Sequence, residues 1–220
     1  LILSSLKWSP VVGLCGLRQT GKTTLATKIT ATLGGEYESF DRALPLQASR
    51  ETTTQFLDRK KMLCLDEAQK APWIFPAIKD FVGTVRRPGR FLLTGSVRFT
   101  LKNDIRESLT GRIVMHELLP FSISEAHGKK PSMFLRGAFK LVNSVVIAKK
   151  SRSAFDGFVS SLRRSEPGEV TSFFRSGGMP VPCFTRDLRQ RRQWLDAYFE
   201  TMLTRDAVLI YPGLGRVPFR

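Results

Sequence analysis

Short strand-like runs alternate with segments of helical periodicity over about the first 125 residues. Strands are predicted at 11–16, 37–41, 61–69, 90–96 and 112–121, and most of these runs are apolar throughout. Apolar residues four apart predict a helix over 22–33, and helices are also expected over the polar stretch 47–59 and over 73–85 and 104–111. Strands that are apolar on both faces are typical of a parallel sheet covered by helices on both sides. The pattern therefore predicts an α/β fold.

The pattern changes after about residue 125. A linker-like break at "HGKKP" opens a weakly patterned stretch, a Gly/Pro-rich turn is expected over 173–184, and 187–210 has the spacing of an amphipathic helix. We expect a core over 1–127, a linker or insertion over 128–170, and the start of a mainly helical C-terminal domain over 171–220. Because the chain begins at Leu1 instead of Met, it is interpreted as a fragment whose last domain is truncated.

The composition is that of a globular protein. Hydrophobic residues make up 42% and charged residues 25% of the 220 positions, which predicts a packed core. We expect no membrane segment, since no apolar run reaches the roughly 20 residues that span a bilayer. The three cysteines and two histidines form no cluster with metal-ligand spacing. These features favour the reducing cytoplasm.

The net charge of +16 is unevenly distributed. Residues 1–128 have 18 basic and 12 acidic side chains, whereas residues 129–220 have 17 and 7, so the balance is +6 in the first part and +10 in the second. Such a basic C-terminal part could bind the phosphates of nucleic acid. It could equally be a solvated surface whose acidic partner lies in another segment or subunit.

The stretch Gly16–Thr23 fits the pattern G-x-x-x-x-G-K-[ST], with a strand before it and a helix after it. In such a loop the backbone N–H groups curl around phosphates, and the helix N-terminus adds its positive dipole. Lys22 would contact the β- and γ-phosphates, and the Thr23 hydroxyl would bind Mg²⁺. The predicted nucleotide-binding residues are Gly16, Leu17, Arg18, Gln19, Thr20, Gly21, Lys22, Thr23 and Thr24.

Polar residues follow two later strands, and an arginine precedes the last one. Asp66 ends the run "MLCLD" and would share the Mg²⁺ with Thr23, while Glu67 would orient the attacking water. Thr94 and Ser96 end the next strand as candidate phosphate sensors, or else as turn caps. Arg112 could contact phosphate in its own or a neighbouring subunit, or be an ordinary surface arginine.

Six segments follow one another along the chain: "GLRQTGKTTL", "CLDEAQKAP", "FLLTGS", "ESLTGRIVMHELLPFSISE", "SGGMP" and "WLDAYFETMLTRD". This ordered set resembles the AAA-superfamily ATPases of bacteria and archaea, in particular the archaeal-type group with an uncharacterised C-terminal domain. The resemblance is dense over 5–125, thin over 171–210 and absent over 128–170. It implies an ATPase core with strand order 5-1-4-3-2, Arg18 and Gln19 as part of the loop signature, and a nucleotide-responsive Arg112.

Three functions are compatible with these residues. The first is hydrolysis of ATP with Mg²⁺ to drive a conformational change in an attached domain, with Lys22, Glu67 and Arg112 as catalytic residues. The second is a nucleotide-gated DNA-binding module with slow hydrolysis, and the third is a small-molecule kinase. A GTPase is excluded because "LKNDI" lacks the N-K-x-D spacing. The expected partners are ATP, further copies of the chain, and nucleic acid at the basic C-terminal part.

Overall fold

The computed structural model describes residues 1–96, 108–128 and 167–207. Two compact units can be distinguished: Leu1–Leu119 together with Leu203–Arg220, and Pro120–Met202. The predicted helix over 104–111 lies largely outside the described residues, and so does most of the predicted linker over 128–170. No helix in the described ranges has the length and apolar character that crossing a bilayer requires.

The first unit contains a five-stranded parallel sheet. Its strands are β1 (Val11–Cys15), β2 (Glu36–Ser39), β3 (Leu63–Asp66), β4 (Phe91–Thr94) and β5 (Ile113–Glu117). They are ordered β2-β3-β4-β1-β5, and every neighbouring pair is parallel. Read from the β5 edge this is 5-1-4-3-2, so the predicted order is confirmed. Because the strands are parallel, all five carboxyl ends lie along one edge of the sheet.

The described α-helices are α1 (Ile2–Ser5), α2 (Lys22–Thr32), α3 (Ala43–Glu51), α4 (Thr53–Leu57), α5 (Ile74–Thr84), α6 (Ile123–Ala126), α7 (Pro167–Ser176), α8 (Pro180–Phe184) and α9 (Leu188–Thr201). A 3₁₀ turn spans Ala68–Lys70, and Met202–Ala207 continues α9 as a π-helix. The predicted helix over 47–59 is instead two helices. They are separated at Thr52, whose φ of −134° and ψ of 55° are not helical.

Apolar side chains alternate between the two faces of the central strands. Val11, Leu65 and Leu93 belong to a cluster that packs against α4 and α5. Val12 and Leu92 belong to a second cluster, which includes the buried face of α2 and Leu6 after α1. Each fully buried side chain of this size stabilises the fold by about 1.5–3 kcal/mol. The prediction of helices on both faces is thus confirmed, and the two layers hold the carboxyl ends of β1, β3 and β4 in place.

The second unit is helical in its described part, as predicted for the C-terminal region. The expected turn over 173–184 is shorter than predicted, because α7 continues to Ser176 and α8 begins at Pro180. Gly178 fits against the chain at Phe121, where an added Cβ would lie 2.3 Å from the carbonyl oxygen. Phe121 N–H also donates to the Gly178 carbonyl at 2.7 Å. The segments "LLPFS" and "SGGMP" are therefore brought into contact.

Candidate nucleotide-binding site

The loop between β1 and α2 lies at the carboxyl edge of the sheet and turns sharply. Gly16 has a φ of 151°, and a Cβ there would lie 2.3 Å from the carbonyl oxygen of Leu118. Gly21, with a φ of 94°, is the N-cap of α2. Gln19 also adopts a positive φ, 61°, which is uncommon for a residue with a side chain. Glycine is needed at Gly16 because the loop passes so close to the chain after β5.

The N-terminus of α2 presents unpaired donors to the loop. Within the described part of the chain, the N–H groups of Lys22, Thr23 and Thr24 have no hydrogen-bond acceptor, and no side chain caps the helix. The first regular bond of α2 is donated by Leu25 N–H to the Gly21 carbonyl at 2.9 Å. Unpaired N–H groups at a helix N-terminus form an anion-binding position. This geometry fits phosphate oxygens.

Lys22 is buried at the centre of the loop, with 6% of its surface exposed. Its Nζ donates to the carbonyl oxygen of Leu17 at 2.6 Å, and Thr20 Oγ1 donates to the same oxygen at 2.9 Å. Burial lowers the pKa of the Lys22 ammonium, and the nearby carboxylates of Glu67 and Asp66 partly oppose that shift. A buried cation of this kind would gain from a bound anion.

Asp66, at the carboxyl end of β3, accepts hydrogen bonds from hydroxyl groups on three other elements. Thr23 Oγ1, on α2, lies 3.0 Å from Asp66 Oδ2, and Tyr37 Oη, on β2, lies 2.7 Å from the same oxygen. Thr94 Oγ1, on β4, donates to Asp66 Oδ1. The carboxylate is buried, with 2% exposure. The structure thereby brings together the predicted metal-binding pair, Thr23 and Asp66.

Glu67 follows β3 in the left-handed backbone region, with a φ of 55° and a ψ of 42°. Its N–H donates to Thr94 Oγ1 at 3.2 Å, and its side-chain Oε2 accepts from Nε2 of Gln69. Such a conformation is rare outside glycine and sets the direction in which the side chain leaves the strand. Thr94 therefore links Asp66 to Glu67 and is held at the site.

Two side chains that contact the carboxylates were not predicted as site residues. Tyr37 is on the edge strand β2, and its Cα pairs with that of Cys64 in the parallel register. Burial and the hydrogen bond to Asp66 raise the pKa of the Tyr37 hydroxyl, so it remains a donor. Gln69 lies within the quoted "CLDEAQKAP" segment. The sequence feature that could have identified Gln69 as a site residue is its position two residues after Glu67, across the 3₁₀ turn.

The remaining predicted residues are less closely connected. Ser96 is half-buried beyond β4, and Thr24 is exposed in the first turn of α2. Arg112 precedes β5, whose first residue pairs with Val11 of β1, so it lies at the amino edge of the sheet. The five residues of β5 place it about 16 Å from the carboxyl edge. The structure does not bring Arg112 to the loop of its own chain.

The residues at the carboxyl edge fit a nucleotide with Mg²⁺. The ion prefers oxygen ligands, and the Thr23 hydroxyl and the Asp66 carboxylate provide oxygens from two elements at one point. No third His, Cys, Asp or Glu joins them in a metal-binding group among the described residues. In nucleotide sites, Mg²⁺ usually takes its other ligands from phosphate and water.

Comparison with known proteins identifies the family. A family model described as an AAA domain matches residues 9–127, more than half of the chain. The chain therefore belongs to the AAA domain family and is a P-loop ATPase of the AAA superfamily, a class of proteins that bind ATP. The match spans the loop, the Asp66–Glu67 pair and β5.

Two curated relatives are uncharacterized proteins from Mycobacterium bovis and Mycobacterium tuberculosis. Each is 28% identical over 193 residues, which cover 86% of this chain and 41% of the relative. The chain thus spans about two fifths of the length of the curated relatives that it matches.

Among solved structures, AMPPCP-bound DnaA from Aquifex aeolicus has a TM-score of 0.48 and 12% identity, over 93% of this chain and 62% of that one. The Thermotoga maritima RuvB Holliday junction branch migration motor has a TM-score of 0.45 and 19% identity, over 91% and 56%. Both are distant similarities.

Proposed function

We propose that the chain binds ATP with Mg²⁺ and hydrolyses it to ADP and phosphate, and that the reaction drives a conformational change in an attached domain. The observation that carries this proposal is the 3.0 Å hydrogen bond between Thr23 Oγ1 and Asp66 Oδ2. It joins the start of α2 to the end of β3, so a ligand between them would contact the loop and the carboxylate pair together.

Each residue has a separate task in this proposal. The α2 N–H groups and the Lys22 ammonium hold the phosphates, and Thr23 and Asp66 hold the metal. When bound, Mg²⁺ offsets the negative charge on the β- and γ-phosphate oxygens. Glu67 accepts a hydrogen bond from water and takes its proton as the water oxygen attacks the γ-phosphorus. The bond to the β–γ bridging oxygen breaks, and ADP leaves.

The domain arrangement and assembly are part of the same proposal. We keep the divisions 1–127, 128–170 and 171–220 as the ATPase core, the linker and the start of the attached domain. Arg112 lies at the amino edge of its own sheet, so a phosphate that it contacts would belong to a neighbouring copy. This supports a homo-oligomer in which Arg112 acts between subunits.

One contact favours the second candidate, a nucleotide-gated DNA-binding module with slow hydrolysis. Gln69 Nε2 donates to a carboxylate oxygen of Glu67. While that bond is made, this oxygen has less capacity to accept from an attacking water. Tight ATP binding with little turnover would then be the resting behaviour of the protein, and a partner that displaces Gln69 would raise the rate.

Replacing Glu67 with Gln tests the proposal. We expect Glu67→Gln to bind ATP as wild type does but to release phosphate at least about 100-fold more slowly, because it removes the base. Steady-state phosphate release without any second substrate is the measurement. Glu51→Gln is a matched control, since Glu51 is exposed on α3 and contacts Gln47 instead of the site.

Each outcome has a distinct meaning. Equal rates for a fast wild type and Glu67→Gln would show that Glu67 is not the base. A wild type that binds ATP tightly and turns over as slowly as Glu67→Gln would support the second candidate. Phosphate transfer only in the presence of a small-molecule acceptor would favour the kinase alternative.

A further inference from the structure

The amino edge of the sheet, opposite the nucleotide-binding loop, carries a concentration of unpaired positive charge. The segments that precede β1, β3 and β4 meet there because the strands are parallel. Their exposed cations are Lys7, Lys60, Lys61, Arg86 and Arg87. Within the ranges that the structure describes, none of the five forms an ion pair. We call these five residues and Trp8 the amino-end surface.

Two adjoining clefts shape this surface. The larger, of about 560 Å³, has Lys7, Lys60, Lys61 and Arg87 in its wall. The smaller, of about 400 Å³, is lined by Trp8, Arg86 and Arg112 among others, and Pro88 borders both clefts. Among the described residues, no acidic side chain lines either cleft. The two clefts share Pro88, both carry basic side chains, and the smaller one also has an aromatic side chain.

The backbone at and before these lysines accepts hydrogen bonds from a buried arginine. Arg90 is buried, and its guanidinium donates to the carbonyl oxygens of Lys61 and Leu57, the latter at 2.8 Å. The same guanidinium lies 4.9 Å from the ring centroid of Phe81. Arg90 thus serves the fold, whereas Lys60 and Lys61 extend into solvent. Two acids are nearby: Asp58 is exposed two residues before Lys60, and Glu36 is paired with Arg59 at 3.4 Å.

Trp8 distinguishes this surface from an ordinary solvated patch of cations. It is 64% exposed, on the segment that leads into β1, and shares its cleft with Pro10 and Pro88. An exposed aromatic side chain beside a basic groove is the arrangement that binds single-stranded nucleic acid, because cations follow the phosphates and a base stacks on the ring. A duplex keeps its bases stacked within the helix and would not use Trp8 in this way.

We infer that the amino-end surface binds single-stranded nucleic acid, with the lysines and arginines on the phosphates and Trp8 stacked on a base. This site differs from the basic C-terminal part predicted from the charge distribution. It also does not depend on ATP hydrolysis, so it can be tested without nucleotide. Arg112 is not required, since four of the cations line the other cleft. Trp8 shares its cleft with Arg112, so a neighbouring copy bound at Arg112 would compete with the nucleic acid for Trp8.

The test is the binding of a fluorescein-labelled oligonucleotide of about 15 thymidines, followed by anisotropy over a range of salt concentrations without ATP. We expect Lys60→Glu/Lys61→Glu to lower the affinity at least about tenfold near 100 mM NaCl. The slope of log K against log salt should fall by about 1.4, or 0.7 for each lost phosphate contact. The control Lys28→Glu/Lys79→Glu makes the same charge change on exposed faces of α2 and α5, outside both clefts.

Trp8→Ala tests the stacking contact. It should lower the affinity about fivefold or more while leaving the salt slope unchanged, because stacking contributes about 1–3 kcal/mol per base and releases no counterions. Circular dichroism and thermal unfolding check the fold of each variant. If Lys60→Glu/Lys61→Glu does not fold, the same loss of affinity and the same fall in the salt slope are expected for Arg86→Glu/Arg87→Glu.

Three results would overturn the inference. The first is an equal loss of affinity in the amino-end and control double variants. The second is an unchanged affinity in Trp8→Ala. The third is that poly-glutamate displaces the labelled oligonucleotide as effectively as unlabelled oligonucleotide does at equal charge. That result would identify an acidic protein as the partner.

Discussion

The two edges of the sheet use their charged residues in opposite ways. At the carboxyl edge, Asp66 and Lys22 are buried, Glu67 is half-buried, and each has a hydrogen-bond partner. Asp66 accepts from three hydroxyls, Lys22 donates to Leu17, and Glu67 accepts from Gln69. At the amino edge, the cations of the amino-end surface are exposed and have no ionic partner in the described part of the chain. The site at the carboxyl edge is therefore preorganised, whereas the side chains at the amino edge can adapt to a ligand.

This difference indicates what kind of ligand each edge suits. Preorganised donors and carboxylates lose little entropy on binding and favour a compact ligand of fixed shape, such as a nucleotide with its metal. Exposed lysines and arginines keep their side-chain freedom, and salt screens them. They suit an extended, flexible polyanion. The comparison therefore predicts that substitutions at the two edges have separable effects, with Arg112 as the exception.

The largest expected effect concerns Arg112, the residue that would connect the two edges across a subunit boundary. If it acts as an arginine finger on a neighbour's nucleotide, Arg112→Ala should lower ATP turnover about 10³-fold, because such a residue stabilises the charge of the transition state. ATP affinity should change little. The measurements are phosphate release and binding of a fluorescent ATP analogue.

Mixing two inactive variants provides the decisive control. Lys22→Ala lacks its own phosphate contact but keeps Arg112, and Arg112→Ala keeps Lys22. Equal amounts of the two should recover activity if Arg112 serves the neighbouring copy, since one mixed interface then has both residues. A mixture as inactive as its components would show that Arg112 does not act between subunits, and the two edges would remain unconnected.

A second prediction concerns the independence of the edges. Lys22→Ala should weaken ATP binding by about tenfold to 100-fold, since a hydrogen bond to a charged group contributes about 1.5–3 kcal/mol. Binding of the thymidine oligonucleotide without ATP should be unchanged. Lys28→Ala, six residues later on an exposed face of α2, is the matched control. A parallel loss of oligonucleotide affinity in Lys22→Ala would contradict the division between the edges.

Much of the fold and part of the candidate site could be predicted from local pattern. Strand-like runs identified all five strands, although the run at 37–41 is not apolar, and the resemblance implied their order. The loop and the Asp66–Glu67 pair are contiguous motifs, so their place at the carboxyl edge followed from the parallel sheet. The break at Thr52 was missed because the polar stretch 47–59 contains no Gly or Pro that would mark it.

What could not be predicted depends on register between distant strands. Tyr37 reaches Asp66 because β2 pairs with β3 so that Tyr37 lies beside Cys64. That pairing leaves no local signal. Arg112 differs, since it opens the predicted strand over 112–121 and its place at the amino edge follows from a parallel sheet. The amino-end surface was missed for a similar reason, since its cations are distributed over three segments that only the sheet brings together.

The smallest expected effect is at Tyr37, and it sharpens the description of the carboxyl edge. Tyr37→Phe removes one of the three hydroxyls that hold the Asp66 carboxylate while keeping the ring. Losing one hydrogen bond costs about 1 kcal/mol, so we expect the Mg²⁺ concentration for half-maximal ATP turnover to rise about fivefold. A titration of Mg²⁺ at saturating ATP measures it. Tyr198→Phe, in the second unit, is the control for loss of a tyrosine hydroxyl. An unchanged Mg²⁺ midpoint in Tyr37→Phe would mean that Thr23 and Thr94 orient Asp66 without help from β2.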